Sequence, residues 1–436
     1  MKNFNLSWYE LFRRPVLDQG LFPVTPAEVN QLSDSGRQAL SHFLGEDQLE
    51  ILQHVSLNQY VRESIELPVT QWKRGCLHGT KQNDELSSQY GQVERDFILS
   101  TVRQQTVVQY AVLRNVNVLM PQGIVWSDRK SEIYKETTMH ANLRGSRRFF
   151  ASSLNQWQVV KSPFLEKPIQ TGTSCLFMYS PLYTNIFHLV HDLLWRQWAM
   201  SFLKGNSRFQ CENTYFGPRL PGSRLDQFLD YLNLGQTLDL RWGVYQFKKL
   251  VIPFANSTYA PFPYAAPDVG FSDRLFNQDF YQWLYRDVVP TSHARALCSD
   301  NAPRLALLRE DASHRNIANL APVKQMLLQR KYIVFNPSEF SLSDQIYVFS
   351  KASKVVGVHG AALFNLIWTQ NCSDVGEIFC GSHLDQGYRS VCGAKDIRYH
   401  CIVAKAVQSS HRMPGYQNLE VNLDDLTALL DAMDQD

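Results

Sequence analysis

The sequence predicts an α/β protein: two doubly wound domains facing each other across a cleft, preceded by a helical N-terminal extension. Strand-like apolar runs alternate with helix-like segments through both halves, which is the pattern of parallel sheets covered by helices. The clearest unit lies in residues 345–379. There an apolar run, 355–358, stops at His359-Gly360, a helix-like A-A-L-F-N-L-I-W follows, and a second apolar run, 375–379, carries Glu377 inside it. Strand, small-residue turn, helix and strand in that order make a parallel βαβ unit. These patterns divide the chain into a helical N-terminal region (1–100), a first α/β domain (101–295) and a second one (296–436).

The elements follow in order. The first ~70 residues read as helical: Thr25-Pro26-Ala27-Glu28 is a capping box with proline at the first helical position, and Gly45 is a stop. Residues 107–134 change to strand-like alternation broken by a Pro121-Gln122-Gly123 turn. Strands at 175–179, 214–216 and 250–253 then alternate with helices at 185–204 and 224–232. The proline-rich stretch 260–267 is a loop between the halves. In the second half, strands at 304–308, 332–335 and 397–404 join the βαβ unit, with helices at 323–330, 342–352 and 423–433.

Length and composition bound the function. A chain of 436 residues, 44% hydrophobic and 19% charged, is globular and long enough for two or three domains. A net charge of +2 gives no electrostatic ground for binding nucleic acid. The first residues hold neither a sustained apolar core nor a cleavage site, so they do not read as a signal peptide. No window approaches the ~18 apolar residues of a membrane span. The expectation is a cytoplasmic protein, with peripheral membrane association left open. The eight cysteines form no CxxC pair and no zinc-like spacing with histidine, which fits reduced thiols.

Three constellations carry chemistry. His359 sits where a parallel strand ends, the place where α/β sheets bind ligands. Gly360 and Ala361 keep the next helix start open to a phosphate. Small residues there also suit simple close packing, but a packing turn gains nothing from an imidazole pointing out of the sheet. The second is L-L-R-E-D-A-S-H-R-N-I-A-N, residues 307–319, in which Arg309 ends a strand and Arg315 follows on a returning loop. Guanidinium groups grip phosphate through paired N–H bonds, although a surface ion-pair cluster is the plainer reading of that segment alone. The third is N-I-F-H-L-V-H-D, residues 185–192, where His188 and Asp192 share a helix face. They read as a general-base pair or half a metal site; His191 reads as a core histidine.

Together these segments resemble glycosyltransferase family 61, the group that includes plant β-1,2-xylosyltransferases, protein O-linked N-acetylglucosamine transferases and many bacterial relatives. The resemblance rests on N-x-F-H-x-x-x-D, R-x-D-A-x-x-R-x-I-x-N, Q-x-x-x-F-x-x-A-x-x-V-V-G-x-H-G-A-x-L-x-N and a terminal E-I, over residues 110–379. It implies a GT-B type fold of two Rossmann-like domains, with the nucleotide-sugar donor held mainly by the C-terminal one, and inversion at the anomeric carbon. It carries roles onto Asn185, His188 and Asp192 in the first domain. In the second it marks Arg309, Arg315, Asn319, His359, Gly360, Ala361, Asn365 and Glu377. Leu308, Leu320 and Phe364 depart from the family's usual residues, and such departures bear on donor identity.

Inverting transfer needs a base on the acceptor hydroxyl and charge to stabilise the departing diphosphate. Asp192, or His188 oriented by it, is the candidate base. Arg309, Arg315, His359 and the following helix start supply positive charge and N–H donors without a metal, and no D-x-D triplet stands in a metal-binding context. The expected activity is transfer from a nucleotide-sugar, a UDP-sugar being one candidate, to a glycan acceptor in surface polysaccharide synthesis, with no cofactor. A protein hydroxyl as acceptor, a catalytically inactive glycan- or nucleotide-binding relative and a metal-dependent hydrolase on His188, His191 and Asp192 are the alternatives.

Overall fold

A long antiparallel ribbon organises the first half. In the computed structural model Val102–Met120 pairs with Gly243–Ala260 in continuous register from Met120↔Gly243 to Arg103↔Ala260. The structure describes residues 21–24, 50–79, 95–120, 123–134, 158–161, 168–178, 186–215, 243–262, 274–288, 302–310, 314–381, 384–407 and 417–435, with a few isolated positions between. The expected capping box at Thr25, the helix at 224–232 and Asn185 lie outside these residues.

In chain order the strands of the first half are β1 Leu21–Val24, β2 Glu50–Val55, β3 Val61–Glu66, β4 Thr70–Trp72, β5 Cys76–His78, β6 Val102–Met120 and β7 Ile124–Ser127. They continue with β8 Glu132–Tyr134, β9 Gln158–Lys161, β10 Ile169–Gln170, β11 Ser174–Phe177, β12 Asn213–Tyr215 and β13 Gly243–Ala260. All but β5 form a twelve-stranded sheet along β1-β9-β2-β8-β7-β6-β13-β11-β12. The sheet is mixed, which corrects the expectation of a doubly wound first domain. The β6–β7–β8 meander and the β6–β13 pairing are antiparallel, whereas β10 and β11 run parallel to β13, β12 parallel to β11, and β2 parallel to β8. Three residues, 121–123, connect β6 to β7, and so short a connection can only join antiparallel strands.

The helical reading of the N-terminal region is corrected where residues are described before 80: these are strands β1 to β5 and one short 3₁₀ turn, Leu57–Tyr60, while residues 95–99 are helical and 1–20, 25–49 and 80–94 lie outside the described residues. Periodicity alone did not separate such short strands from helix. Strand β5 leaves its neighbours and runs parallel to the last long strand of the second sheet, through His400↔Cys76 and Ile402↔His78. The described strands of residues 1–100 are therefore woven into both halves.

The second half follows the reading closely. Strands β14 Arg304–Leu307, β15 Tyr332–Val334, β16 Lys354–Val358, β17 Asp374–Cys380, β18 Arg398–Val407 and β19 Asn418–Glu420 join β5 in a seven-stranded sheet ordered β15-β14-β16-β17-β18-β19. Pairing is parallel from β15 to β18 and antiparallel at β19. Every residue of β17 is buried and β16 is buried beyond its first residue, as expected of strands covered on both faces.

The helical run 186–203, here α1, is α-helical at Ile186–His188, a π-helix at Leu189–Leu194, and helical again to Leu203. Then come α2 Gln278–Val288, α3 Leu320–Gln329, α4 Leu342–Lys351, a 3₁₀ helix at Ala361–Trp368, α5 Gly387–Ala394 and α6 Leu423–Asp434. Sequence reading did not anticipate α2 or α5. One core runs through both sheets, from Tyr110, Leu193 and Phe247 to Val355, Trp368 and Tyr388. A smaller one lies between the other face of the second sheet and α3 and α6, built on Val356, Ile378, Leu426 and Leu430. The ring of Phe187 on α1 meets that of Tyr388 on α5 at 5.3 Å, edge to face.

Candidate active site

The second sheet reverses direction at one place. From β14 the chain goes to β15 on one side and then to β16 on the other, so the crevice between β14 and β16 is the switch point where open α/β sheets bind ligands. Arg309 leaves the carboxyl end of β14 and His359 leaves that of β16, with Leu307 and Gly357 in register beneath them. The sequence placed both residues at strand ends; their adjacency is a product of topology.

The turn after β16 is held from several directions. The His359 amide donates to Ile378 O at 2.9 Å. Arg315 Nη1 donates to His359 O at 3.2 Å, and the Tyr388 hydroxyl to Gly360 O at 2.7 Å. Gly360 has φ 155°, a conformation that essentially requires glycine, and a Cβ there would collide with the Arg309 guanidinium. Ala361 and Ala362 begin the 3₁₀ helix, whose first N–H groups lack partners within the helix.

Arg309 and Arg315 both have left-handed backbones, with φ 57° and 60°. Lys331 and Asp396 share that conformation just past the ends of α3 and α5, where left-handed caps are ordinary. The two arginines follow no helix. Such strain costs on the order of 1 kcal/mol for each and persists where surrounding structure fixes it, commonly at ligand sites.

Glu377 is fully buried on β17. Its Oε1 accepts from His359 Nδ1 at 2.5 Å and its Oε2 from the Tyr399 hydroxyl at 2.5 Å. A carboxylate can only accept, so Nδ1 carries the proton and the ring is fixed in orientation. Burial pushes the Glu377 carboxyl above its ordinary range, while the bonds from His359 and Tyr399 pull it back. The carboxylate thus orients the imidazole.

A pocket of about 190 Å³ opens beside Arg309, between the segment after β15 and the 3₁₀ helix, and Ile186 of α1 closes one side. Phe335, Asn336 and Ser338 line it together with Ala361, Ala362 and Asn365. Gln345 ties its two walls together. Its amide donates to Pro337 O at 2.6 Å and Phe340 O at 2.9 Å, and its oxygen accepts from Asn365 at 3.2 Å. Asn319 stands apart from the crevice: its amide clamps both backbone groups of Val421, at 2.7 and 2.9 Å.

On α1, His188 Nδ1 lies 3.0 Å from Asp192 Oδ2, and Arg274 Nε lies 3.4 Å from Asp192 Oδ1. The carboxylate is 2% exposed, the imidazole 14%. The π-helical segment carries Asp192 at a place where such segments commonly mark function. The Arg274 guanidinium also stacks over Phe187 at 5.4 Å. His191 is a core residue: Nδ1 donates to Phe187 O at 2.9 Å and Nε2 accepts from the Tyr281 hydroxyl at 3.0 Å. Burial lowers its pKa to about 3, so it stays neutral.

Sequence reasoning missed Arg274, Tyr388 and Tyr399 as parts of this arrangement, and held Gln345 only as the first residue of a motif, without a role. A carboxylate within an apolar strand did signal that donors must come from neighbouring elements, without saying which. Among the described residues no three His, Cys, Asp or Glu side chains converge to hold a metal ion, and no helix is long and apolar enough to cross a membrane. The described cysteines are all free thiols.

No curated protein matches the chain. The family model described as Glycosyltransferase 61 matches residues 186–376, from the start of α1 to one residue before Glu377. That span takes in His188 and Asp192, both arginines and the whole β16 turn, and the match supports membership of glycosyltransferase family 61, which implies a glycosyltransferase.

Proposed function

We propose that this glycosyltransferase moves a sugar, with inversion and without a metal, from a nucleotide-sugar to a glycan acceptor. The observation that carries the reading is the pairing of Arg309 with the His359-Gly360 turn at the sheet's switch point. Arg309, Arg315, His359 and the N–H groups of Ala361 and Ala362 meet the diphosphate, and the adjoining pocket takes the nucleoside. The 296–436 half is the donor side and the 101–295 half the acceptor side. Surface polysaccharide synthesis in the cytoplasm is the setting proposed for it.

In the transfer the acceptor oxygen bonds to the anomeric carbon while the bond from that carbon to the diphosphate oxygen breaks. The acceptor proton passes to His188. Asp192 is too deeply buried to meet an acceptor, so it orients the imidazole and balances the charge that forms on it. The leaving diphosphate gains charge as the bond breaks, and fixed positive groups stabilise it there more than in the ground state.

Titration with UDP tests the donor assignment. Arg309→Ala and His359→Ala should each weaken binding by ~1–3 kcal/mol, the scale of a lost charge-assisted hydrogen bond. Unchanged affinity in both variants would overturn it.

A further inference from the structure

The far end of α1 forms a second concavity that the transfer chemistry does not use. Trp198 and Phe202, four residues apart, form one wall; their rings meet at 4.8 Å, edge to face. Asp279, Gln282 and Arg286 on one stripe of α2 form the other, and Ile65 to Pro68, at the end of β3, form the floor. The hollow measures about 620 Å³, well above the 190 Å³ beside Arg309. Phe202 is 42% exposed, an unusual position for a large aromatic ring.

We infer that this groove binds the glycan chain of the acceptor at a distance from the transfer site, an inference that rests on the glycosyltransferase reading. Phe202, backed by Trp198, offers an aromatic face to the C–H side of a sugar ring. Glu66, Asp279, Gln282 and Arg286 surround it with acceptors and donors for hydroxyl groups. Two carboxylates against one guanidinium disfavour a phosphate or another anion. Three charged side chains around the opening disfavour a purely apolar ligand. Fourteen residues of α1 separate His188 from Phe202, which at 1.5 Å per residue is about 21 Å along the helix. An extended oligosaccharide spans that distance; a monosaccharide acceptor does not.

The test uses the full chain and xylo-, manno- and chito-oligosaccharides from tetra- to hexasaccharide, with binding read by saturation-transfer NMR in the absence of donor. Wild-type protein should bind at least one series, and the longer members more tightly. Phe202→Ala, a change at an exposed ring, and Asp279→Asn should each weaken that binding about tenfold, equivalent to ~1.4 kcal/mol, with UDP affinity unchanged. No binding by wild type in any series would overturn the inference, as would full binding by Phe202→Ala. So would self-association of wild type that Phe202→Ala abolishes, since that makes the groove a protein contact. None of these outcomes involves Arg309 or His359, so failure here is separable from failure of the donor site.

Discussion

Gly360 has no side chain, and Arg309 fills the place that one would take: a Cβ on Gly360 would run into the guanidinium. The two residues belong to adjacent parallel strands that the chain reaches from opposite sides of the sheet's reversal. Missing bulk on one strand end thus makes room for charge from the other. This explains why a small residue and a distant arginine are needed together, which neither segment reveals alone.

Gly360→Ala should therefore act on Arg309. The methyl group forces the guanidinium aside, and φ 155° adds backbone strain on the order of 1 kcal/mol. The variant should fold, melt a few degrees lower, and bind UDP at least ~10-fold more weakly. Calorimetric titration checks this, and wild-type affinity would show that Arg309 does not grip the nucleotide.

Glu377→Gln should leave the fold intact and change the protonation pattern of His359. The amide oxygen can still accept from Tyr399, but its NH₂ then faces the N–H on Nδ1. The imidazole must move its proton to Nε2 or turn away. Nitrogen NMR of labelled histidine should show Nδ1 losing its proton, together with a stability loss of ~1–2 kcal/mol. An unchanged His359 signal would remove Glu377 from its positioning role.

Strand β5 should loosen at acid pH. His78 Nε2 lies 3.1 Å from His400 Nδ1, and His400 Nε2 lies 3.1 Å from Asp374 Oδ1. Asp374 only accepts, so His400 donates to it from Nε2 and accepts from His78 at Nδ1. Burial first, then repulsion from the His400 ring when both would be protonated, lowers the pKa of His78. A histidine whose pKa falls on folding contributes stability while neutral. That contribution is full above the ordinary histidine pKa of ~6.5 and is lost as pH drops through it toward the folded value. Hydrogen exchange of the β5 amides, corrected for intrinsic rate, should be faster at pH 5 than at pH 8. His78→Phe should flatten that difference; if it does not, the pH response lies elsewhere.

How far the sequence revealed this molecule depended on how local each feature is. The second sheet was legible because its strands are buried on both faces and read as unbroken apolar runs, such as 354–358 and 374–380. The first sheet was not, because β6 alternates over its first half, then becomes buried on both faces, and gains its partner β13 more than a hundred residues later. Strand β5 shows nothing in its three residues of the sheet it will join. At the site, His359, Arg309 and Glu377 stood out because charged or polar groups interrupt apolar runs. Arg274 and Tyr399 did not, since only tertiary packing turns them toward Asp192 and Glu377.

Transfer should survive exhaustive chelation. Arg309 and Arg315 supply fixed positive charge where the diphosphate is proposed to sit, the task a divalent cation performs in metal-dependent transferases. Full turnover in EDTA is the expected result. Activity abolished by EDTA and restored by manganese would count decisively against it.

The last prediction assigns the base. His188 is the more exposed partner of a pair whose carboxylate is buried between it and Arg274. If the imidazole takes the acceptor proton, His188→Ala should cut turnover by roughly 10²-fold or more while UDP affinity stays near wild type. Asp192→Asn keeps the shape but removes the charge that orients and supports the imidazolium, so it should cut turnover to a similar degree. It also leaves Arg274, only 12% exposed, facing an amide in place of a carboxylate, and stability should fall as well. The two effects separate in the double variant. If the pair acts as one unit, His188→Ala combined with Asp192→Asn should be little slower than either change alone. Near-full turnover in His188→Ala, with a lowered melting temperature only in Asp192→Asn, would make the pair structural and place the base on another residue.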